Sequence, residues 1–152
     1  MIEKFEDKIK AVPLVMNQPV PMFTVTGVDG KQISLSQLKG RYVLLDFWAT
    51  WCGPCMAEMP FVKDIRKKYP AEKLAMVGIS ADTGKEQLLA GIRKNTLTWP
   101  QYLDSGTKIG TLYSVASIPT MILLDKEGKM IFHSANLQSD PNTLSKLLEN
   151  VK

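Results

Sequence analysis

The chain has 152 residues, with 19 lysines and arginines against 15 aspartates and glutamates, and hydrophobic residues make up 45% of it. That length suits one domain able to bury about 70% of the surface its unfolded chain would expose, and the composition excludes a disordered chain and a membrane-embedded one. The net charge of +4 is spread thinly, with no dense basic run interleaved with aromatics, so a solvated basic face is expected and a nucleic-acid surface is not.

Residues 1–17 begin with a charged stretch, Met1 to Lys10, followed by an apolar patch, Ala11 to Met16, that Pro13 interrupts. The patch is too short for a leader peptide, and no run of about 18 apolar residues occurs, so no membrane span is expected. With Pro19 and Pro21 close behind, 1–17 reads as a tether to a domain spanning 18–152. Met22 to Thr26 and Gln32 to Leu35 form a strand pair around the Asp29-Gly30 turn, and Ser36 to Lys39 is a helical turn that Gly40 ends.

Tyr42 to Trp48 is a near-continuous apolar run interrupted by Asp46, the pattern of a strand covered on both faces and hence of a central strand. Pro54 to Tyr69 has helical spacing, with Met59, Val62, Ile65 and Tyr69 on one side and Pro60 inside, where it removes one backbone bond. A second buried strand, Leu74 to Ser80, a helix, Gly84 to Asn95, and an extended segment, Trp99 to Leu103, follow. This strand-helix-strand alternation implies parallel pairing through a right-handed crossover. Lys108 to Tyr113 reads as a short helix, Thr120 to Leu124 and Lys129 to Ser134 as an antiparallel hairpin, and Asp140 to Val151 as a last helix with Leu144, Leu147, Leu148 and Val151 on one face. The eight methionines are scattered and read as packing residues.

Both cysteines of the protein, Cys52 and Cys55, stand two residues apart where the central strand gives way to a helix. A C-x-x-C at that place can close a small disulfide and carry two electrons. The unpaired N–H groups and positive dipole end of the helix favour a thiolate at the first cysteine, which makes Cys52 the candidate nucleophile. Pro54 suits the first helical turn, and Gly53 has no side chain to obstruct a partner approaching the sulfur. A structural disulfide, a buried thiol pair and half of a metal site are the competing readings. A structural zinc site needs four ligands, and beyond the two cysteines the chain has a single histidine, His133, far along the sequence.

The segment Asp46-Phe47-Trp48-Ala49-Thr50-Trp51-Cys52-Gly53-Pro54-Cys55 resembles the active-site segment of the thioredoxin superfamily. Pro21-x-Phe23, the Gly27 to Gly40 pattern, Glu58-Met59-Pro60 and Ser117-Ile118-Pro119-Thr120 extend the resemblance to the TlpA/ResA branch of thiol-disulfide oxidoreductases, over roughly Pro19 to Lys152. The resemblance implies an α/β fold, a thioredoxin-like three-layer α/β/α sandwich with a mixed central sheet and an N-terminal β-hairpin extension. It also implies a redox disulfide between Cys52 and Cys55, a cis-proline loop at Pro119, and a backbone at Ile118 placed to pair with an extended partner segment. Asp46 matches the buried carboxylate of thioredoxins, and Glu58 matches the acidic residue of the TlpA/ResA branch. Either acid is a candidate to take up the proton of Cys55, and the two are expected to act together. Trp51, with Gly53 and Pro54, is expected at the surface beside the sulfur, and Trp48 in the core.

The implied reaction is reduction of protein disulfides: Cys52 attacks a partner's disulfide, and Cys55 resolves the mixed disulfide. Its partners are a disulfide-containing client protein and a thiol electron donor, with no nucleic acid, no cofactor and no metal ion, and a monomer is expected. The branch is commonly exported, so a periplasmic or cell-envelope location is expected, with the cytoplasm as the alternative. Two other readings of the two thiols stand beside this one: a thioredoxin-like binding module that holds a client or a metal ion, and a peroxiredoxin-like peroxidase, which shares the upstream pattern but has a different cysteine context.

Overall fold

The computed structural model describes residues 10–134 and 141–151. The first nine residues of the expected tether, and Asp140 at the expected start of the last helix, lie outside the described residues. In chain order the elements are β1 (Thr24–Thr26), β2 (Gln32–Ser34), a 3-10 turn (Leu35–Leu38), β3 (Tyr42–Trp48), α1 (Gly53–Lys68), β4 (Leu74–Ser80), α2 (Lys85–Asn95), β5 (Gln101–Leu103), α3 (Lys108–Leu112), β6 (Thr120–Leu124), β7 (Met130–His133) and α4 (Pro141–Leu148). β1 and β2 pair antiparallel as a separate hairpin, and the other five strands form one mixed sheet in the order β5-β4-β3-β6-β7. β3 is parallel to β4 and antiparallel to β6, so it sits at the centre, as its two-sided apolar character requires.

Alternation along the strands assigns side chains to two layers. Leu44 and Trp48 of β3, Met76 of β4 and Leu123 of β6 join Met59, Val62 and Ile65 of α1, Leu88 of α2 and Leu144 and Leu148 of α4 in one buried cluster. Val43, Leu45 and Phe47, with Val77, Ile79, Ile122 and Leu124, face the other way and pack with Ile109 and Tyr113 and with Ile33 and Leu35 from the hairpin and the turn after it. The result is a three-layer sandwich with α1, α2 and α4 on one face and α3 with the hairpin on the other. Leu44, Leu45 and Leu123 are wholly excluded from solvent, and each such side chain contributes about 1.5–3 kcal/mol relative to exposure.

α1 runs through Pro60 without a break. The first strand begins at Thr24 and not at Met22: the Leu35 N–H still donates to the Phe23 carbonyl in the register of the hairpin, but at Leu35 the partner chain enters the 3-10 turn, and the Pro21 carbonyl accepts the Tyr113 hydroxyl. Residues 12–19 run against the domain. The Val12 N–H donates to the Leu112 carbonyl at 3.0 Å, and Asn17 and Gln18 exchange backbone bonds with Met130 at 2.7 and 3.0 Å. This covers part of the outer edge of β7, where unpaired backbone groups would otherwise stand open.

Candidate active site

β3 ends at Trp48, and the next four residues turn the chain into α1. Cys52 is the N-cap of that helix in an extended conformation, and Pro54 lies in the first turn, where its missing N–H leaves no bond unmade. The Cys52 Sγ accepts a hydrogen bond from the Cys55 N–H at 3.1 Å, so the first cysteine takes the role that a serine or aspartate oxygen plays at other helix starts. Cys52 and Cys55 are joined by a disulfide, with Cα atoms 5.2 Å apart, and both are nearly buried. Beside them Trp51 is 66% exposed, the most open large apolar side chain among the described residues. Gly53 and Pro54 are exposed as well, and a Cβ on Gly53 would meet nothing within 4 Å.

Asp46 shares the face of β3 with Leu44 and Trp48, the face that α1 covers. Burial, and after it the negative charge of Glu58, push its carboxyl up to about 7 from an ordinary 3.8. Glu58, half-buried in the second turn of α1, is itself raised by burial. The two acids that the sequence singled out are thus close enough to feel one another, one beneath the helix and one upon it. The Ile118-Pro119 peptide is cis, and the Thr120 hydroxyl closes the loop on the Ser117 carbonyl at 2.7 Å. Ile118 packs against the cluster that holds both cysteines. A groove of about 420 Å³ is lined by Trp51, Ser117 and Ile118, with Phe47 and Ile79 among the other residues along it. Of the site residues singled out in the sequence, Trp51 and Ile118 line this one groove.

Three contacts at this point carried no sequence signal of their own. The Trp48 indole N–H donates to Gln101 Oε1 at 2.9 Å across 53 residues, and Gly78 is bare where a Cβ would overlap the Gln101 side chain. Thr50 is bonded to Asp82, 32 residues on, through both its N–H and its hydroxyl. Asn95 of α2 donates to the Met56 sulfur at 3.7 Å. Trp99, to which the sequence assigned no role, is buried, and its indole N–H has no partner among the described residues. His133 is buried at the end of β7, and burial lowers its pKa. Among the described residues no three His, Cys, Asp or Glu side chains gather as a metal cage, and no helix is long and apolar enough to cross a membrane.

Residues 16–133 match the AhpC/TSA family. The chain is 38% identical over 127 residues to the thiol-disulfide oxidoreductase ResA of Bacillus cereus, an alignment covering 84% of this chain and 72% of that protein. The chain belongs to the AhpC/TSA family, in its ResA-like thiol-disulfide oxidoreductase branch. This ResA-like chain is also 39% identical over 122 residues to the thioredoxin-like protein YneN of Bacillus subtilis, covering 78% of the chain and 71% of that protein. A thiol-disulfide oxidoreductase from Bacteroides fragilis superposes with a TM-score of 0.76 at 31% identity, covering 88% of the chain and 99% of the other. A ResA-like chain with a disulfide at the start of α1 is an oxidoreductase of the thioredoxin type, working by thiol-disulfide exchange. The binding-module and peroxidase readings are not favoured: these relatives are oxidoreductases or thioredoxin-like, and the two cysteines are bonded to each other in one helical turn.

Proposed function

We propose that this protein reduces disulfide bonds in other proteins. The observation that carries this reading is the Cys52–Cys55 disulfide at the N-cap of α1, with the Cys52 sulfur accepting the Cys55 N–H. In the reduced form that N–H and the helix N-terminus stabilise a thiolate at Cys52. The thiolate attacks one sulfur of a client disulfide; a Cys52–client bond forms, and the other client sulfur leaves as a thiolate. Cys55 then attacks the Cys52 sulfur, the client's second thiolate departs, and the internal disulfide is restored. Two electrons have passed to the client, and a thiol donor returns them by the same exchange in reverse.

Cys55 must lose its proton to attack. Asp46, whose carboxyl is held near neutrality by burial and, after it, by the charge of Glu58, is the acceptor we assign. Trp51, Gly53 and Pro54 form the approach to the sulfur, and the Ile118 backbone beside Pro119 offers an edge to an extended client segment. We place the protein as a monomer in the periplasm or cell envelope, with the cytoplasm as the alternative and 18–152 as its catalytic domain. Its membership of the ResA-like branch supports the reducing role and the location.

The test is equilibration in glutathione and dithiothreitol buffers of defined ratio, with free thiols counted by alkylation and Cys55→Ser used to trap mixed disulfides. A pair that stays oxidised until strongly reducing conditions is a reductant. A pair reduced readily in mild glutathione refutes the reducing assignment and leaves an oxidase or isomerase.

A further inference from the structure

The turn from Trp48 to Cys52 is tied down from the side of the sheet away from the cis-proline loop. The Ala81 N–H donates to the Trp48 carbonyl at 2.8 Å, and the Cys52 N–H donates to the Ala49 carbonyl at 3.2 Å. Between them lies Thr50, whose N–H reaches Asp82 Oδ2 at 3.1 Å and whose hydroxyl reaches Oδ1 at 2.6 Å. The Ser80 hydroxyl supplies a further donor to Asp82 Oδ2 at 2.6 Å, and the Asp82 N–H returns a bond to the Ser80 oxygen at 3.0 Å. Asp82 is wholly excluded from solvent. A buried carboxylate is tolerated only when donors surround it, and its hydrogen bonds are then of the strong, charge-assisted kind. Here two of the three donor groups belong to one residue, and that residue stands two positions before Cys52. Gly91 of α2 adds a steric wall: a Cβ there would overlap the Thr50 methyl group, so the helix backbone lies directly against the turn.

We infer that Asp82, acting through Thr50, is a positioning residue that sets how readily the Cys52–Cys55 pair is oxidised. This inference rests on the reading that the pair turns over by thiol-disulfide exchange. The equilibrium between dithiol and disulfide depends on the effective concentration of one sulfur at the other, which geometric restraint raises. Cys55 is fixed by its place in α1; Cys52 is the cap, and its place depends on the turn before it. Releasing Thr50 from Asp82 gives the reduced form freedom that the disulfide form lacks, so the disulfide becomes easier to reduce. The same loss of restraint slows the attack of Cys55 on a Cys52 mixed disulfide. It leaves the first attack of Cys52 on a client less affected, because that step joins two separate molecules.

Three variants test this. Thr50→Val keeps shape and the backbone N–H but removes the hydroxyl donor; Asp82→Asn removes the charge; Thr50→Ser keeps both donors. Thiol-disulfide equilibrium against glutathione and release of a trapped client peptide would be measured for each beside the wild type. The first two variants are expected to lower the equilibrium constant for disulfide formation about tenfold, which is about 30 mV for a two-electron couple. Both should slow release by a similar factor, while Thr50→Ser stays within twofold of wild type. A merely structural role would lower the thermal midpoint and leave the constant unchanged, and that result in Thr50→Val overturns the inference. Thr50 is only half-buried, so this variant carries the test if Asp82→Asn does not fold. A wild-type protein that does not exchange at all overturns the underlying reading, and the positioning role with it.

Discussion

Replacing Asp46 by asparagine should change the pH dependence of stability in a direction opposite to that of an ion-paired carboxylate. The Asp46 carboxyl titrates near 7 in the folded protein against an ordinary 3.8, and burial is the main cause. A group that binds its proton more tightly when folded carries no penalty below the unfolded value. The penalty grows as pH rises from 3.8 to 7 and is complete above it. At about 1.4 kcal/mol for each pH interval, the window between the two values corresponds to about 4 kcal/mol of stability lost on going from pH 3.5 to 7.5. The asparagine variant lacks this loss, whatever constant cost its buried amide brings. Urea unfolding with the disulfide intact, at half-unit steps of pH, should show the variant gaining on the wild type by about 4 kcal/mol across the window. At this chain length that is a relative shift in thermal midpoint of about 8–16 °C. Curves that run parallel would show that Asp46 is solvated, and a variant that loses on the wild type as pH rises would show that it is ion-paired; either result would remove the proton-acceptor role with the burial argument. Glu58→Gln supplies the second arm: with its charge gone, the loss due to Asp46 should be smaller and complete at lower pH, because that charge is the second cause, after burial, raising Asp46.

Two further outcomes follow from the same contacts. The rate at which Cys55 releases a trapped client should show an inflection near pH 7 in the wild type, lose it in Asp46→Asn, and move it toward acid in Glu58→Gln; unchanged profiles in both single variants, followed by rapid mixing and acid quench, would separate the two acids from the chemistry. Gly78→Ala should displace Gln101 and leave the Trp48 indole without its acceptor, costing about 1–3 kcal/mol. An unchanged urea midpoint would mean that the Gln101 side chain moves aside at no cost.

Local patterning carried most of the fold. The apolar run of β3 marked a strand buried on both faces, and the Asp29-Gly30 turn fixed a hairpin, since a glycine there at φ 86° adopts a conformation costly for other residues. Placement of both cysteines at a strand-to-helix junction was enough to put Cys52 at the helix N-terminus, because cap position is a matter of neighbours in sequence. The alternation of β3 even put Asp46 on the same face as Leu44 and Trp48. What covers that face was decided by packing: only with α1 laid over it does a carboxyl on a strand face shared with Leu44 and Trp48 become an acid that titrates near neutrality, with Glu58 adding its charge from the helix.

The tertiary structure alone decided the rest. Periodicity says which side of a strand a residue faces and nothing about which strand lies beside it, so the order β5-β4-β3-β6-β7 was beyond it. Prolines argued for an irregular stretch before residue 20, yet irregular backbone still needs partners, and residues 12–19 find them along α3 and β7. The Thr50–Asp82 and Trp48–Gln101 bonds join residues 32 and 53 positions apart. A polar residue at the end of an apolar strand reads as solvated until the fold closes over it. Burial then makes its hydrogen bonds obligatory, and in this protein those of Asp82 end on the turn that carries Cys52.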